Sequence, residues 1–263
     1  MNHPHDSAAV TQARDTGTAT QGSGTAACGV GIKALLFDVF GTVVDWRASV
    51  IREAAAFGRA NGIAADWEAF ADAWRGKYGP FMDKVRSGAL PWTNLDGLHR
   101  LALEELLGEF GIRGVSEAAR AELNLAWHRL DPWPDAPAGL ARLKARFIIA
   151  AMSNGNVALM TNLARYAGLP WDCILGAELA RAYKPDPETY LTGVELLGLQ
   201  PGEVMMVAAH AGDLQAAASL GLKTAFVPRP LERGPAAVPE PIATASFDVA
   251  ATDFRGLAAQ LGG

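Results

Sequence analysis

Four short segments of the chain place reactive side chains where chemistry could occur. Asp38 follows the apolar run KALLF and precedes Val39, Phe40, Gly41 and Thr42, which puts a carboxylate at the tip of a buried strand beside a tight turn. A carboxylate with an ordinary pKa of about 3.9 is ionised at neutral pH, and nearby donors orient it without removing its charge. That is a nucleophile's setting, although an isolated Asp serves equally well to cap a turn. Ser153-Asn154-Gly155-Asn156 combines hydroxyl, amide and helix N-terminal N–H groups, which suit a bound carboxylate or phosphate as well as an ordinary helix cap. Tyr183-Lys184-Pro185-Asp186-Pro187 sets one lysine before a helix started by proline, where it could neutralise paired carboxylates or simply face solvent. His210-Ala211-Gly212-Asp213 offers a further acid, a partner for Asp38 and Lys184 in one crevice or a helix N-cap.

These segments need a frame. Short apolar runs recur at FIIAAMS (147–153), VMMVAA (204–209) and TAFVP (224–228), with CILG (173–176) a weaker one. Between them, 156–167, 187–198 and 213–220 are amphipathic at helical spacing. Strand alternating with helix predicts a parallel sheet with right-handed crossovers, an α/β Rossmann-like core over 31–46 and 131–263. Residues 47–130 break the alternation with helical patterns alone (48–61, 66–86, 95–110 and 116–130), interrupted by Gly79-Pro80 and Leu90-Pro91. This stretch reads as an inserted helical cap domain over the C-terminal strand ends, where open α/β sheets bind ligands. The Pro-rich stretch 229–245 is expected to be a loop and 253–261 a last helix.

Composition narrows the function. Half of the 263 residues are hydrophobic and 19% charged, enough for a sizeable core. A formal charge of -5 without a basic block argues against nucleic acid as a partner. No run approaches the roughly 20 apolar residues of a membrane span. Cys28 and Cys173 fit neither a disulfide framework nor zinc spacing, and the composition suits a reducing cytoplasm. Residues 1–30 lack the order of a signal peptide and are expected to be a disordered tail. Exposed apolar positions on the helical insertion are compatible with a homodimer.

Taken together and in order, FDVFGTVVD, MSNGN, YKPDPETY and VAAHAGD resemble the four motifs of the haloacid dehalogenase superfamily over roughly residues 32–255. The resemblance implies a Rossmann-like core, a helical insertion after the first strand, and Asp38 as nucleophile. Most of that superfamily are magnesium-dependent phosphatases with a second Asp two positions after the nucleophile and an acidic residue four before the last Asp. Here those positions are Phe40 and Ala209. Phe40 cannot protonate a leaving alcohol, and without the second carboxylate Mg²⁺ lacks oxygen ligands, so neither metal nor cofactor is expected.

Halide leaves as an anion and needs neither function. An aromatic residue after the nucleophile, the SNG motif and the Trp-Arg pair in Ala73-Trp74-Arg75 are similar to the L-2-haloacid dehalogenase branch. That resemblance implies hydrolysis of a short 2-haloacid or haloacetate to the 2-hydroxy acid through an aspartyl ester. Ser153 and nearby backbone N–H groups would hold the carboxylate, Val39 would lie among the residues that bind substrate and halide, and Asp38 would displace halide toward Arg75 and Asn154. Asp213 and Lys184 would activate water, Thr42 would orient Asp38 or hold the incoming carboxylate, and Phe40 and Trp46 would wall the pocket. The branch often has Ser and Asn where this chain has Ala208 and His210. His210 is expected to narrow the halide pocket and add a donor, which would favour fluoride. A phosphatase with an eroded metal site and a non-catalytic binding protein on the same fold are the alternatives.

Overall fold

Ala34–Phe37 (β1) is wholly buried, and its side chains alternate between two cores: Leu35 and Phe37 enter one, Ala34 and Leu36 the other. An apolar run without polar alternation requires cover on both faces, so β1 lies inside a sheet. In the computed structural model, which describes residues 31–237 and 244–262, the sheet has six parallel strands. The expected tail over 1–30 and part of the expected loop over 229–245 lie outside the described residues.

From β1 the chain passes a short strand, Val44–Asp45 (β2), and enters the helices Trp46–Asn61 (α1), Trp67–Gly76 (α2), Tyr78–Arg86 (α3), Leu95–Glu109 (α4) and Glu117–Asn124 (α5). It returns through a 3-10 turn at Leu125–His128 and Asp131–Pro132 (β3), which pairs antiparallel with β2 as a two-stranded neck. Asp45, Asp66, Asn94 and Ser116 accept from the third residue after them, Ala48, Ala69, Gly97 and Ala119, so polar starts fix these helices.

Ala136–Lys144 (α6) then leads into Ile148–Ser153 (β4), followed by Val157–Ala167 (α7), Cys173–Gly176 (β5), Ala177–Ala180 (α8), Pro187–Leu196 (α9), Val204–Ala208 (β6), Ala211–Ser219 (α10), Lys223–Phe226 (β7), Val249–Ala250 (β8) and Phe254–Gln260 (α11). The strand order is β5-β4-β1-β6-β7-β8, with β1 between β4 and β6. The C-terminal ends of these three strands therefore deliver Asp38, Asn154 and His210 to one edge of the sheet.

Three expectations need correction. The helix expected over 66–86 is two, broken at Lys77; Gly79-Pro80 lies in the first turn of α3, where a missing N–H costs nothing. The helix expected over 116–130 ends at Asn124. Helix α6 was hidden by Pro137 and Gly139; a Cβ on Gly139 would stand 2.4 Å from that of Phe254, so the glycine is what lets α6 approach α11. Among the described residues no helix is long and apolar enough to cross a membrane.

Candidate active site

Asp38 is one residue beyond β1 and is 7% exposed. Its Oδ2 accepts from Thr42 Oγ1 at 2.7 Å and lies 2.9 Å from His210 Nδ1, while Oδ1 accepts from Lys184 Nζ at 2.9 Å. Burial alone would raise this carboxyl, but Lys184, His210 and Thr42 outweigh it and hold Asp38 well below the usual carboxylate range. Thr42 is itself fixed, because its Oγ1 accepts from the Ala209 N–H at 2.9 Å.

Lys184 bridges two acids: its Nζ also donates to Asp213 Oδ2 at 2.6 Å. Burial works against the ammonium, yet Asp213 and Asp38 together push Lys184 above its ordinary value. Tyr190 Oη donates to Asp213 Oδ1 at 2.5 Å. Burial and the Asp38 charge push Asp213 up, with Lys184 and Tyr190 opposing. The lysine loop is gripped from the helical insertion, since Arg86 on α3 donates to the carbonyls of Tyr183 and Lys184 at 3.2 and 2.8 Å and pairs with Asp186.

His210 stands between two carboxylates, with Nε2 2.9 Å from Glu232 Oε2. Burial would lower this imidazole, but Asp38 and Glu232 push it up to about 10. Glu232, in the segment after β7, also accepts from Trp46 Nε1 at 3.0 Å, and it is held below its usual value against burial chiefly by His210. His210 therefore has no ring nitrogen to spare, which overturns the expectation that it offers a donor to a halide.

These residues open on a cavity of about 280 Å³ lined by Asp38, Phe40, Arg75, Tyr78, Asn154 and Lys184 among others. Arg75 reaches it from the last turn of α2, with its guanidinium carbon 4.1 Å from the Tyr78 ring centroid and 5.6 Å from that of Trp46. Its Nη1 is buried with no hydrogen-bond partner among the described residues. Asn154 presents Oδ1 to the Lys184 N–H at 2.7 Å, while its amide nitrogen faces the Tyr78 hydroxyl and has long contacts of 3.4 Å to Met82 Sδ and 3.5 Å to the Lys184 carbonyl. The cavity thus meets a carboxylate on one side and under-used donors on the other.

Several expected contacts fall elsewhere. Ser153 is fully buried and its Oγ accepts from the Gly155 N–H at 3.0 Å, so it shapes the loop and does not face the cavity. Val39 is buried and its carbonyl closes the turn by accepting from Val43 and Val44. Trp46 is not a pocket wall; it supports Arg75 and Glu232 from behind. Of the expected walls, Phe40 lines the cavity, and so does His210, which was expected to narrow it. Tyr78, Arg86, Tyr190 and Glu232 were missed. Tyr190 sits within the YKPDPETY segment and could have been noticed there; the others have no local signal.

The residues present do not fit a magnesium ion. The position two after Asp38 is Phe40 and the position four before Asp213 is Ala209, neither with a side-chain ligand atom, and the Lys184 ammonium already lies between Asp38 and Asp213.

Residues 32–221 match the family described as haloacid dehalogenase-like hydrolase. The crystal structure of a defluorinating L-2-haloacid dehalogenase is 47% identical with a TM-score of 0.85, over 88% of this chain and 96% of that one. The (S)-2-haloacid dehalogenase of Xanthobacter autotrophicus is 31% identical over 207 residues, 75% of this chain and 76% of the relative. A crystal structure of L-2-haloacid dehalogenase from the same organism with chloropropionic acid covalently bound has a TM-score of 0.72 at 28% identity, over 88% of this chain and 99% of that one.

Proposed function

The chain belongs to the haloacid dehalogenase-like hydrolases, and from that premise we propose that it hydrolyses short (S)-2-haloacids and haloacetates to 2-hydroxy acids, halide and a proton. One observation carries the reading: an ionised Asp38 shares a small cavity with Arg75, whose buried Nη1 has no acceptor among the described residues. An unmatched buried donor costs about 1–3 kcal/mol, and an anion formed in the cavity would remove that cost. Fluoride is included in the leaving groups because a similar enzyme is described as defluorinating.

Asp38 attacks C2 from the side opposite the halogen; the C2–Oδ bond forms as the carbon–halogen bond breaks, and the configuration inverts. Arg75 and the Asn154 amide receive the halide, which needs no proton. The substrate carboxylate meets the N–H group of Phe40, which lines the cavity and has no acceptor among the described residues. Phe40 excludes water from the reacting carbon. Asp213, held by Lys184 and Tyr190, then takes a proton from water as it adds to the Asp38 carbonyl carbon. That proton passes to the departing alcohol oxygen, and the second goes to solvent as the carboxylate re-forms.

The test is halide release from fluoro-, chloro- and bromoacetate and from both enantiomers of 2-chloropropionate, with the lactate analysed on a chiral column. Halide from the (S) enantiomer with (R)-lactate as product is expected. No halide from any of them, alongside turnover of small phosphate esters, would replace this reading by a phosphatase.

A further inference from the structure

The geometry around His210 points to a use beyond holding Asp38 in place. Neither Asp38 nor Glu232, once ionised, can donate a hydrogen bond, yet both ring nitrogens of His210 lie 2.9 Å from their oxygens. Both contacts are satisfied at once only when both nitrogens carry hydrogen. Glu232 is built for this: it is 9% exposed, and Trp46 Nε1 fixes its other oxygen at 3.0 Å. Gly41, at φ +84°, makes room for it, since a Cβ there would fall 2.2 Å from Glu232 Oε1.

The two oxygens of Asp38 are not equivalent. Oδ2 accepts from Thr42 and His210, which occupies both of its lone pairs, whereas Oδ1 accepts, among the described residues, from Lys184 alone and keeps one free. Oδ1 is therefore the oxygen able to attack C2, and Oδ2 becomes the carbonyl oxygen of the ester. We propose that His210, kept as an imidazolium by Glu232, is the catalytic donor that stabilises the negative charge forming on Asp38 Oδ2 when water cleaves the ester. The assignment rests on the aspartyl-ester reading above.

In that step water's oxygen bonds to the Asp38 carbonyl carbon, one proton goes to Asp213, and the carbonyl π pair moves onto Oδ2. Collapse of the intermediate breaks the bond from the carbonyl carbon to Oδ1 and releases the 2-hydroxy acid. Thr42 at 2.7 Å and His210 at 2.9 Å already stand where oxyanion donors must stand, about 2.7–3.1 Å away. An imidazolium has no lone pair and cannot serve as the base, which leaves that task to Asp213. The charged groups facing His210 are Asp38 and Glu232; Lys184 holds the far oxygen of Asp38, and the Arg75 charge reaches Glu232.

The test separates the two half-reactions. Chloroacetate is mixed with excess parent enzyme, His210→Leu or His210→Asn and rapidly quenched, with halide and glycolate quantified and the alkyl-enzyme followed by intact-protein mass. Thermal melts check folding. His210→Leu should still release about one chloride per chloroacetate while ester hydrolysis slows on the order of 10²–10³-fold and the alkyl-enzyme accumulates. His210→Asn, whose amide places a donor near the lost Nδ1, should hydrolyse the ester at least tenfold faster than His210→Leu. Parent hydrolysis should be flat through neutral pH and fall at high pH as the imidazolium is lost, and Glu232→Gln should move that fall to lower pH. If His210→Asn is as slow as His210→Leu and parent hydrolysis rises with pH, His210 is a base and the assignment is overturned. Equal slowing of chloride release and hydrolysis would make it a positioning residue only. No chloride from the parent itself would instead remove the dehalogenase reading, and this assignment with it.

Discussion

The guanidinium carbon of Arg75 lies 4.1 Å from the centroid of the Tyr78 ring, three residues on and across the break between α2 and α3. An aromatic face attracts a cation without accepting its in-plane N–H groups. With Trp46 on a second side at 5.6 Å, Arg75 keeps its charge in a largely apolar setting while Nη1 has no acceptor among the described residues. A carboxylate partner would have neutralised both. Residues three apart share a face of a helix, and Lys77 keeps helical dihedrals (φ -78°, ψ -11°), so residues 75 and 78 stay side by side where α2 passes into α3.

Replacing Arg75 by Lys keeps the charge and loses the planar donor fork. Steady-state halide release should show kcat lower by about 10²-fold or more, the cost of losing one preorganised donor. Tyr78→Leu should produce a smaller fall in the same direction. An unchanged kcat for Arg75→Lys on chloro and bromo substrates would mean that halide departs elsewhere.

Asp38→Asn should abolish halide release while leaving the melting temperature within a few degrees of the parent. In a single turnover with excess enzyme in ¹⁸O-water, the label should appear in Asp38 and not in the product hydroxyl, since water attacks the carbonyl carbon of the ester. Label found directly in the hydroxy acid would show that water, not Asp38, attacks C2.

Exhaustive treatment with EDTA should leave halide release unchanged. Lys184 Nζ lies 2.9 Å from Asp38 and 2.6 Å from Asp213, which neutralises the two carboxylates a divalent cation would otherwise use, and Phe40 and Ala209 supply no others. Activity lost to chelator and restored by Mg²⁺ would contradict this.

Which parts of this site could be read in the sequence follows from how each residue is positioned. Asp38, Asn154, Lys184 and Asp213 flank strands or open helices in segments whose local pattern announces both the element and its end, so their convergence follows from a parallel sheet. Glu232 has no such marker. It reaches His210 from the segment after β7, and its approach depends on the missing Cβ of Gly41 almost two hundred residues earlier. His210 was visible as a polar residue at a strand tip, but its role changes once a second carboxylate is known to face it. Arg86 and Tyr78 read as ordinary helix residues, and only the packing of α3 over the Lys184 loop gives them a function. The fold shows the same division: strands buried on both faces stand out, while α6 is concealed by a proline and a glycine that serve its packing on α11.

His99 carries a prediction about stability. Its ring is 2% exposed, stacked on Trp127 with centroids 4.3 Å apart, and neither ring nitrogen has a partner among the described residues. Burial, reinforced by the nearby Arg75 charge and opposed by Asp96, pulls its pKa down to about 3, against about 6.5 in an unfolded chain. Between those values the unfolded chain binds a proton that the folded one refuses, so His99 costs no stability above pH 6.5 through this linkage. The cost then grows as pH falls toward 3. At pH 5 it amounts to about 2 kcal/mol, taking about 1.4 kcal/mol for each unit below 6.5. His99→Phe keeps the stacked ring and removes both the titration and the unpartnered nitrogens, each worth on the order of 1 kcal/mol or more. Urea unfolding should therefore find the variant more stable at pH 7.5 and find its advantage larger at pH 5. If parent and variant lose the same stability between the two pH values, His99 is not the group that takes up the proton on unfolding.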